Sequence, residues 1–376
     1  MLINSVNYDV GKGLPCKIRK KIAIILCVIV TISLFAIIVL GFDAFLNQNN
    51  SEIEKLPKWD KRALNDLHNS FLADDEDKES EFWKGFNLSK QSILLISKES
   101  GYAYLVNPTK NVKSIFAKRV NESKHESRGH KKFRVYRLSR FYPGIYKIKI
   151  FGGNFNTIGE STKVLGNEVY YLKFDSASFT KQYSSKHFAT FLYHESFHYY
   201  MQNHWKGGSR FSGNLSEMDE NLLEQKLRLL DDARNLMDER ALDRHKLTEI
   251  AQDILKVEKQ REKENPKYVV KERMFETVEG TATYVGILAS RAVEYDFGPM
   301  YFDNTKNADF SSVIPFYKSG KLEEGFLRDR LPYETGAELA LILHSLAPED
   351  NWQQYLNEQN LREERTLIDA LEQTLR

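Results

Sequence analysis

The sequence predicts an α+β protein that an N-terminal transmembrane helix anchors in a membrane. Three observations lead to this prediction: an uncharged apolar stretch at 22–42, short runs typical of strands within 91–182, and helical patterns over 183–376. Strands that are followed by helices, and do not alternate with them, are typical of α+β domains. The chain has 376 residues, which is enough for two average domains or for one large domain with an insertion.

Composition and charge are those of an ordinary globular protein. Hydrophobic residues make up 41% of the chain and charged residues 28%, and the net charge is +2. We therefore expect no nucleic-acid partner. The only cysteines, Cys16 and Cys27, lie at or inside the first apolar segment, so the rest of the chain folds without disulfides. Motifs of serine hydrolases, redox proteins and nucleotide-binding loops are absent from the sequence.

The apolar stretch at 22–42 predicts a membrane anchor. Its 21 residues carry no charge, and as a helix they would span about 30 Å, the thickness of the hydrocarbon layer. Five basic residues precede the stretch and acidic residues follow it, which predicts a cytoplasmic tail at 1–21 and an external C-terminal domain at the cell membrane. A cleaved signal peptide is the alternative, but it usually has a shorter apolar region and a small-residue cleavage site.

A stalk and a sheet are predicted to follow the anchor. Within the linker at 43–90, Trp59, Leu64, Leu67 and Phe71 recur near helical spacing, which indicates a helix that packs on the domain. The segment 91–182 predicts a mostly antiparallel sheet. Its strand candidates are SILLIS, YAYLV, FRVYRL, YKIKIF and EVYYLKF. A charged loop within it contains His125 and His130, whose spacing of five does not place both on one helical face, so we interpret them as surface histidines.

The segment 183–376 is predicted to be mainly helical. An insertion at 206–264 has one leucine stripe amid charged residues, which predicts a pair of amphipathic helices. Asn265 and Pro266 form a cap and first-turn pair for the next helix. Two or three further helices are expected in the tail at 320–376.

The stretch FLYHESFHYYMQNHW contains the pattern H-E-x-x-H at His194, Glu195 and His198. On a helix, residues four apart share a face, so the two imidazoles can bind one metal ion. Imidazole suits Zn²⁺, which keeps a position open for water in three-ligand sites. A neighbouring carboxylate can accept the proton of that water as it attacks a carbonyl. The motif predicts zinc-dependent hydrolysis with Glu195 as general base.

Two patterns compete for the third zinc ligand. In the first, H-E-x-x-H-x-x-G-x-x-H, His204 would complete the site, as in metzincins, but Met201 stands where that pattern has glycine. Without the glycine we expect the helix to continue through Met201. On a continuing helix, His204 would lie about 9 Å along the axis from His198 and could not reach the same ion.

The second pattern places the third ligand on a later helix, where FETVEGTATYV contains Glu276 and Glu279, and the glycine directly after Glu279 allows close helix packing near the metal. H-E-x-x-H followed by E-G-x-A-x-Y resembles the gluzincin clan of zinc metallopeptidases, particularly its aminopeptidase group, which implies a zincin-like catalytic part. The resemblance implies that Glu279 is the third ligand and that Thr283 supports a histidine ligand, with Glu276 as a second supporting residue or an ordinary helix carboxylate. The 80 residues between His198 and Glu279 exceed the spacing common in that clan, and the insertion accounts for them.

A tyrosine could stabilise the oxyanion in such a site. Tyr333, which precedes Gly336 and an apolar helix, and Tyr284 are both candidates, with packing as the alternative role for each. His344, on an apolar stripe, is interpreted as a core histidine.

We therefore expect a membrane-anchored zinc metallopeptidase that acts on peptides or proteins, with a tethered site that favours substrates at the membrane face or in the cell envelope. The absence of a G-A-M-E-N-like run favours an endopeptidase. A non-catalytic membrane-anchored scaffold or binding protein is the alternative from another functional class.

Overall fold

The structure is a computed structural model. It describes residues 16–49, 52–74, 81–121, 133–206, 208, 210–211, 213–349 and 351–376. His125 and His130 lie outside these residues. The described part is an α+β structure, as predicted from the order of strands and helices.

The first helix, α1 (Cys16–Asn49), contains the predicted anchor. Within the described residues, one helical stretch, Lys20–Gln48, is long and apolar enough to cross a membrane. The predicted stalk helix is α2 (Lys58–Ala73). Leu64 and Leu67 on α2 are fully buried, so this helix packs on the domain as expected.

The sheet has five strands in the order β3-β4-β2-β1-β7. These strands are β1 (Ile93–Ser97), β2 (Ala103–Val106), β3 (Ala117–Arg119), β4 (Val135–Leu138) and β7 (Tyr170–Phe174). A separate two-stranded ribbon consists of β5 (Lys163–Val164) and β6 (Asn167–Glu168). The strand β7 is followed by the short helix α4 (Ala177–Thr180) and then by the helix that carries His194.

The sheet differs from the antiparallel one that the sequence predicted. Strand β7 pairs with β1 in parallel, with Ile93 opposite Tyr170, so the sheet is mixed. The run YKIKIF, predicted as a strand, is helix α3 (Tyr146–Phe151). Ile145 is buried and Ile148 is half-buried, three residues apart on one helical face, while Ile150 and Phe151 stay exposed. This spacing favours a helical turn. The strand prediction was based on the alternation of apolar and polar residues in the run, which is also compatible with a short helix.

Helices form the rest of the protein, and the predicted amphipathic pair is α6 and α7. The bounds are α5 (Phe188–Tyr200), α6 (Glu217–Met237), α7 (Arg244–Glu264), α8 (Pro266–Ala292), α9 (Val313–Lys318), α10 (Glu324–Asp329), α11 (Leu331–Leu346), α12 (Asn351–Asn357) and α13 (Leu367–Thr374). Helix α8 begins at Pro266 as predicted, but the Asn265 side chain does not cap it and donates to Asn214 O and to Asp219 instead. Four helices lie within the described residues of the tail, where two or three were expected.

Helices α5, α8 and α11 lie side by side and support the candidate site. Gly280 on α8 touches Gly336 on α11, and a Cβ at Gly280 would lie 2.5 Å from Gly336 C. Where α8 meets α5, a Cβ at Gly286 would lie 3.0 Å from Thr190 O. A side chain at either position would meet backbone atoms of the neighbouring helix, so glycine allows the helices to approach this closely. The sequence-based expectation that the glycine after Glu279 allows close helix packing is therefore confirmed.

Candidate metal centre

His194 and His198 lie one turn apart on α5 and face α8. Their Nε2 atoms are 3.1 Å apart, and Glu279 on α8 brings its Oε2 atom 3.5 Å from His194 Nε2 and 3.2 Å from His198 Nε2. Among the described residues these three form the one cluster of histidine, cysteine or acidic side chains that could hold a metal ion. Atoms bound about 2.0–2.1 Å from a tetrahedral zinc ion lie about 3.3 Å from one another. The observed triangle therefore fits a tetrahedral ion.

The outer nitrogen atoms of both imidazoles have partners. Gln202 donates through Nε2 to Val278 O and to Thr281 Oγ1, both at 2.9 Å, which turns its Oε1 atom toward His198 Nδ1. His198 Nδ1 is therefore the donor to Gln202, and Nε2, which faces Glu279, is the atom that would bind a metal. Thr283 Oγ1 lies 3.5 Å from His194 Nδ1. Such outer partners orient the histidine ligands of metal sites.

The two glutamates of the site have opposite pKa shifts. Burial alone would raise the pKa of Glu279, but hydrogen bonds from His194 and His198 outweigh it and hold the pKa well below its usual range. Glu279 therefore stays ionised, as an anionic metal ligand must. Burial raises the pKa of Glu195, and the charges of the two imidazoles oppose that shift. A carboxylate with a raised pKa is a better proton acceptor at neutral pH.

Tyr333 is the tyrosine that faces the site. Its ring stacks on the His194 ring at 6.0 Å between centroids. Burial, and then the charge and hydrogen bond of Glu279, raise the pKa of the Tyr333 hydroxyl, so it remains a donor. Tyr284 belongs to the core, where its ring packs against Trp83 and Trp352. Of the two candidates, Tyr333 lines the cleft beside His194 and Tyr284 does not.

These side chains line a cleft of about 580 Å³. No family model, curated protein or solved structure matches this chain. The cleft wall is apolar at Phe155, Ile158 and Phe191, and the basic residues Lys186 and Arg330 also line it. The acidic residues that line it, within the described part of the chain, are Glu195 and Glu279.

His204 is not part of the cluster, although the physical reason differs from the one predicted. Helix α5 ends at Tyr200 and does not continue through Met201, which is its C-cap. The chain then turns so that Trp205 is buried against Trp83 and Phe197. His204 lies in this turn, is exposed, and interacts with Asn203. The burial of Trp205 ends the helix without the glycine of the metzincin pattern.

Glu276 lies one turn before Glu279 but faces away from the cleft. It accepts a hydrogen bond from Lys226 Nζ at 2.8 Å, and Lys226 also pairs with Glu258 at 3.0 Å. Arg261 extends this buried network to Glu272 at 2.6 Å. Glu276 therefore connects α8 to α6 and α7. Among the described residues, it forms no hydrogen bond or ion pair with either imidazole.

Gln202 was missed by the sequence analysis. It lies four residues after His198, so the helical spacing that paired His194 with His198 could have identified it. His344, interpreted from its apolar stripe as a core histidine, is exposed and lies near the Tyr284 ring. The preceding residue, Leu343, is fully buried and belongs to the apolar stripe of α11, whereas His344 lies outside that stripe.

Proposed function

We propose that this chain is a zinc-dependent metallopeptidase that a single transmembrane helix holds at a membrane. The observation that carries the proposal is the triangle of His194 Nε2, His198 Nε2 and Glu279 Oε2, with edges of 3.1, 3.5 and 3.2 Å. Both imidazoles have polar partners at Nδ1, as the histidine ligands of metal sites require. The resemblance of the two helical motifs to gluzincins agrees with this geometry.

The metal ion would be held by His194, His198 and Glu279. This ligand set consists of two neutral imidazoles and one carboxylate. A bound zinc ion supplies Lewis acidity at this position, which polarises a substrate carbonyl and acidifies a water molecule. The Glu195 carboxylate accepts a proton from the attacking water and delivers it to the nitrogen of the leaving amine. The Tyr333 hydroxyl, which stays protonated, donates a hydrogen bond to the oxygen where negative charge develops.

The cleft favours an endopeptidase. An aminopeptidase needs an acidic group to bind the amino terminus of its substrate. The two acidic residues that line the described cleft are Glu195 and Glu279, and both already have roles as base and ligand. Phe155, Ile158 and Phe191 offer an apolar wall for side chains of a peptide that passes through.

The charge bias on either side of 22–42 supports an external catalytic domain with a cytoplasmic N-terminus. In that arrangement the enzyme acts on peptides or proteins at the membrane face or in the cell envelope. Protease accessibility of the C-terminal domain on intact cells tests the sidedness, and a domain protected from protease would overturn it.

Hydrolysis by the purified full chain tests the chemistry. A broad peptide library should be cleaved, a chelator should abolish cleavage, and added zinc should restore it. The Glu195→Gln variant removes the proton acceptor but no ligand, so turnover should fall by about 10²–10⁴-fold while bound zinc stays at the parental level. Glu239→Gln, which changes an exposed glutamate just after α6, is the matched control and should retain full activity.

Two outcomes would contradict the proposal. Full activity in Glu195→Gln would show that Glu195 is not the general base. No cleavage of any peptide by the zinc-loaded parent would instead favour the non-catalytic scaffold, in which the site keeps its metal for a structural purpose.

A further inference from the structure

Four large apolar side chains are exposed on the two chain segments that meet the last turns of α1. Ile115, Phe141, Ile150 and Phe151 expose 70%, 42%, 66% and 81% of their surfaces. We call these four residues the juxtamembrane patch. Single exposed hydrophobic residues are common on soluble proteins, but four of them on two segments that both meet the end of α1 indicate an interaction surface.

Both segments of the juxtamembrane patch are hydrogen-bonded to the last turns of α1. Asp43 Oδ2 accepts the Phe141 backbone N–H at 3.0 Å, and Gln48 Nε2 donates to Ile115 O at 2.9 Å. Between them, the fully buried Asn47 side chain accepts from Arg137 Nε at 2.7 Å and donates to Arg137 O at 3.1 Å. The end of α1 is therefore held against the sheet and is not a free tether.

These bonds define the depth of the patch relative to a membrane. The uncharged stretch ends at residue 42, so Asp43 marks the border of the hydrocarbon layer. Phe141 lies at the level of Asp43, and Ile115 lies at the level of Gln48, about 7.5 Å further along the helix axis. The headgroup region extends about 5–8 Å beyond the hydrocarbon layer. Both residues thus fall within the interfacial region of the bilayer that α1 would cross.

The charges around the patch match an anionic lipid surface. Residues 110–119 and 140–151 contain seven lysines and arginines and no aspartate or glutamate. Tyr142 and Tyr146 add two half-buried aromatic rings beside them. Basic and aromatic side chains around an apolar group are typical of surfaces that lie in the headgroup region of anionic membranes.

We propose that the juxtamembrane patch inserts into the headgroup region of an anionic lipid bilayer and holds the catalytic domain flat on the membrane. This inference depends on the membrane-spanning role of α1 and not on the peptidase chemistry. Ile158 of the cleft wall follows Phe151 by seven residues, so it lies no more than about 25 Å from the patch along the chain. The cleft is thereby kept close to the lipid surface, where it meets membrane-proximal segments of its substrates.

Spin labels on the full chain in vesicles test the inference. Cys16 and Cys27 are replaced by serine, and a nitroxide is attached to a single cysteine at Ile115 or Phe151, or at the control positions Phe316 and Leu361. Both control residues are exposed and apolar. Phe316 lies in α9, and Leu361 lies between α12 and α13. Vesicles contain phosphatidylcholine with phosphatidylglycerol. Labels on the patch should collide several-fold less with a water-soluble nickel chelate, and more with oxygen, than the control labels.

Equal nickel accessibility at patch and control positions would overturn the proposal. A label at Ile32 reports whether the span itself inserts, so water exposure there would refute both the span and the patch. The shielding should weaken in pure phosphatidylcholine, and unchanged shielding would refute the preference for anionic lipid. Zinc content and hydrolysis of a soluble peptide, measured on the same labelled proteins in detergent, report on the proposed peptidase function independently of lipid contact.

Discussion

The backbone contact between Gly280 and Gly336 should control both stability and catalysis. In Gly336→Ala, the new Cβ would meet Glu276 O most closely, and it would lie 2.8 Å from Gly280 Cα and 3.0 Å from Glu276 C. Carbon atoms in favourable contact are about 3.5–4.0 Å apart. Because all of these neighbours are backbone atoms, helices α8 and α11 must separate by about 1 Å to admit the methyl group.

The magnitude follows from two opposing effects. Overpacking costs about 1–3 kcal/mol, and the upper end applies here because rigid backbone must move. Alanine is favoured over glycine in a helix interior by about 1 kcal/mol. We therefore expect Gly336→Ala to lower the free energy of unfolding by about 2 kcal/mol. A shift of about 1 Å between Tyr333 and Glu279 should also reduce turnover by about 10²-fold.

Denaturant unfolding in detergent and peptide hydrolysis measure these two effects. Gly325→Ala in α10 is the matched control, because its Cβ would meet only the Asp329 carboxylate, at 3.7 Å. This control should keep full activity and gain up to about 1 kcal/mol of stability. If Gly336→Ala also becomes more stable by that amount, the close approach of α8 and α11 does not exist and the reasoning is refuted.

The remaining predictions concern the outer partners, the buried network and pH. Gln202→Ala removes the partner that orients His198 and should weaken zinc affinity by about 10–100-fold, measured by competition with a chelator. Lys226→Met leaves buried carboxylates without their cation and should cost about 3–5 kcal/mol in denaturant unfolding, whereas the exposed Arg228→Met should change stability by less than about 0.5 kcal/mol. Burial raises the pKa of Glu338 from 4.5 to about 8, so the folded state holds a proton that the unfolded state releases and stability falls as pH rises from about 4.5 to about 8. Glu338→Gln should flatten this decline, and an identical slope in parent and variant would contradict it.

Much of the architecture could be predicted because local patterns determine it. The uncharged length of 22–42, the β-rich runs and the leucine stripe of α6 each reflect a periodicity that the chain shows without reference to distant residues. The parallel pairing of β1 with β7 could not be predicted, since it joins strands that are separated by more than 70 residues. The helix α3 was mistaken for a strand because six residues are too few to distinguish the two periodicities.

The candidate site was predictable where helical spacing alone places a side chain. His194 and His198 share a face for that reason, and the glycine after Glu279 signalled a close contact. The end of α5 depends on the burial of Trp205 against aromatic residues from distant parts of the chain, so the position of His204 could not be derived correctly. The partner of Glu276, Lys226, likewise comes from the insertion, whose packing the sequence does not reveal.

Zinc stoichiometry of ligand variants tests the central claim most directly. Glu279→Ala should lose zinc as severely as His194→Ala, because each removes one of three protein ligands. His204→Ala should keep one zinc per chain, since that side chain lies in an exposed turn outside the triangle. Atomic absorption on the purified full-length variants gives the answer. Zinc that is retained in Glu279→Ala but lost in His204→Ala would contradict the account and assign the site to the histidine-rich pattern.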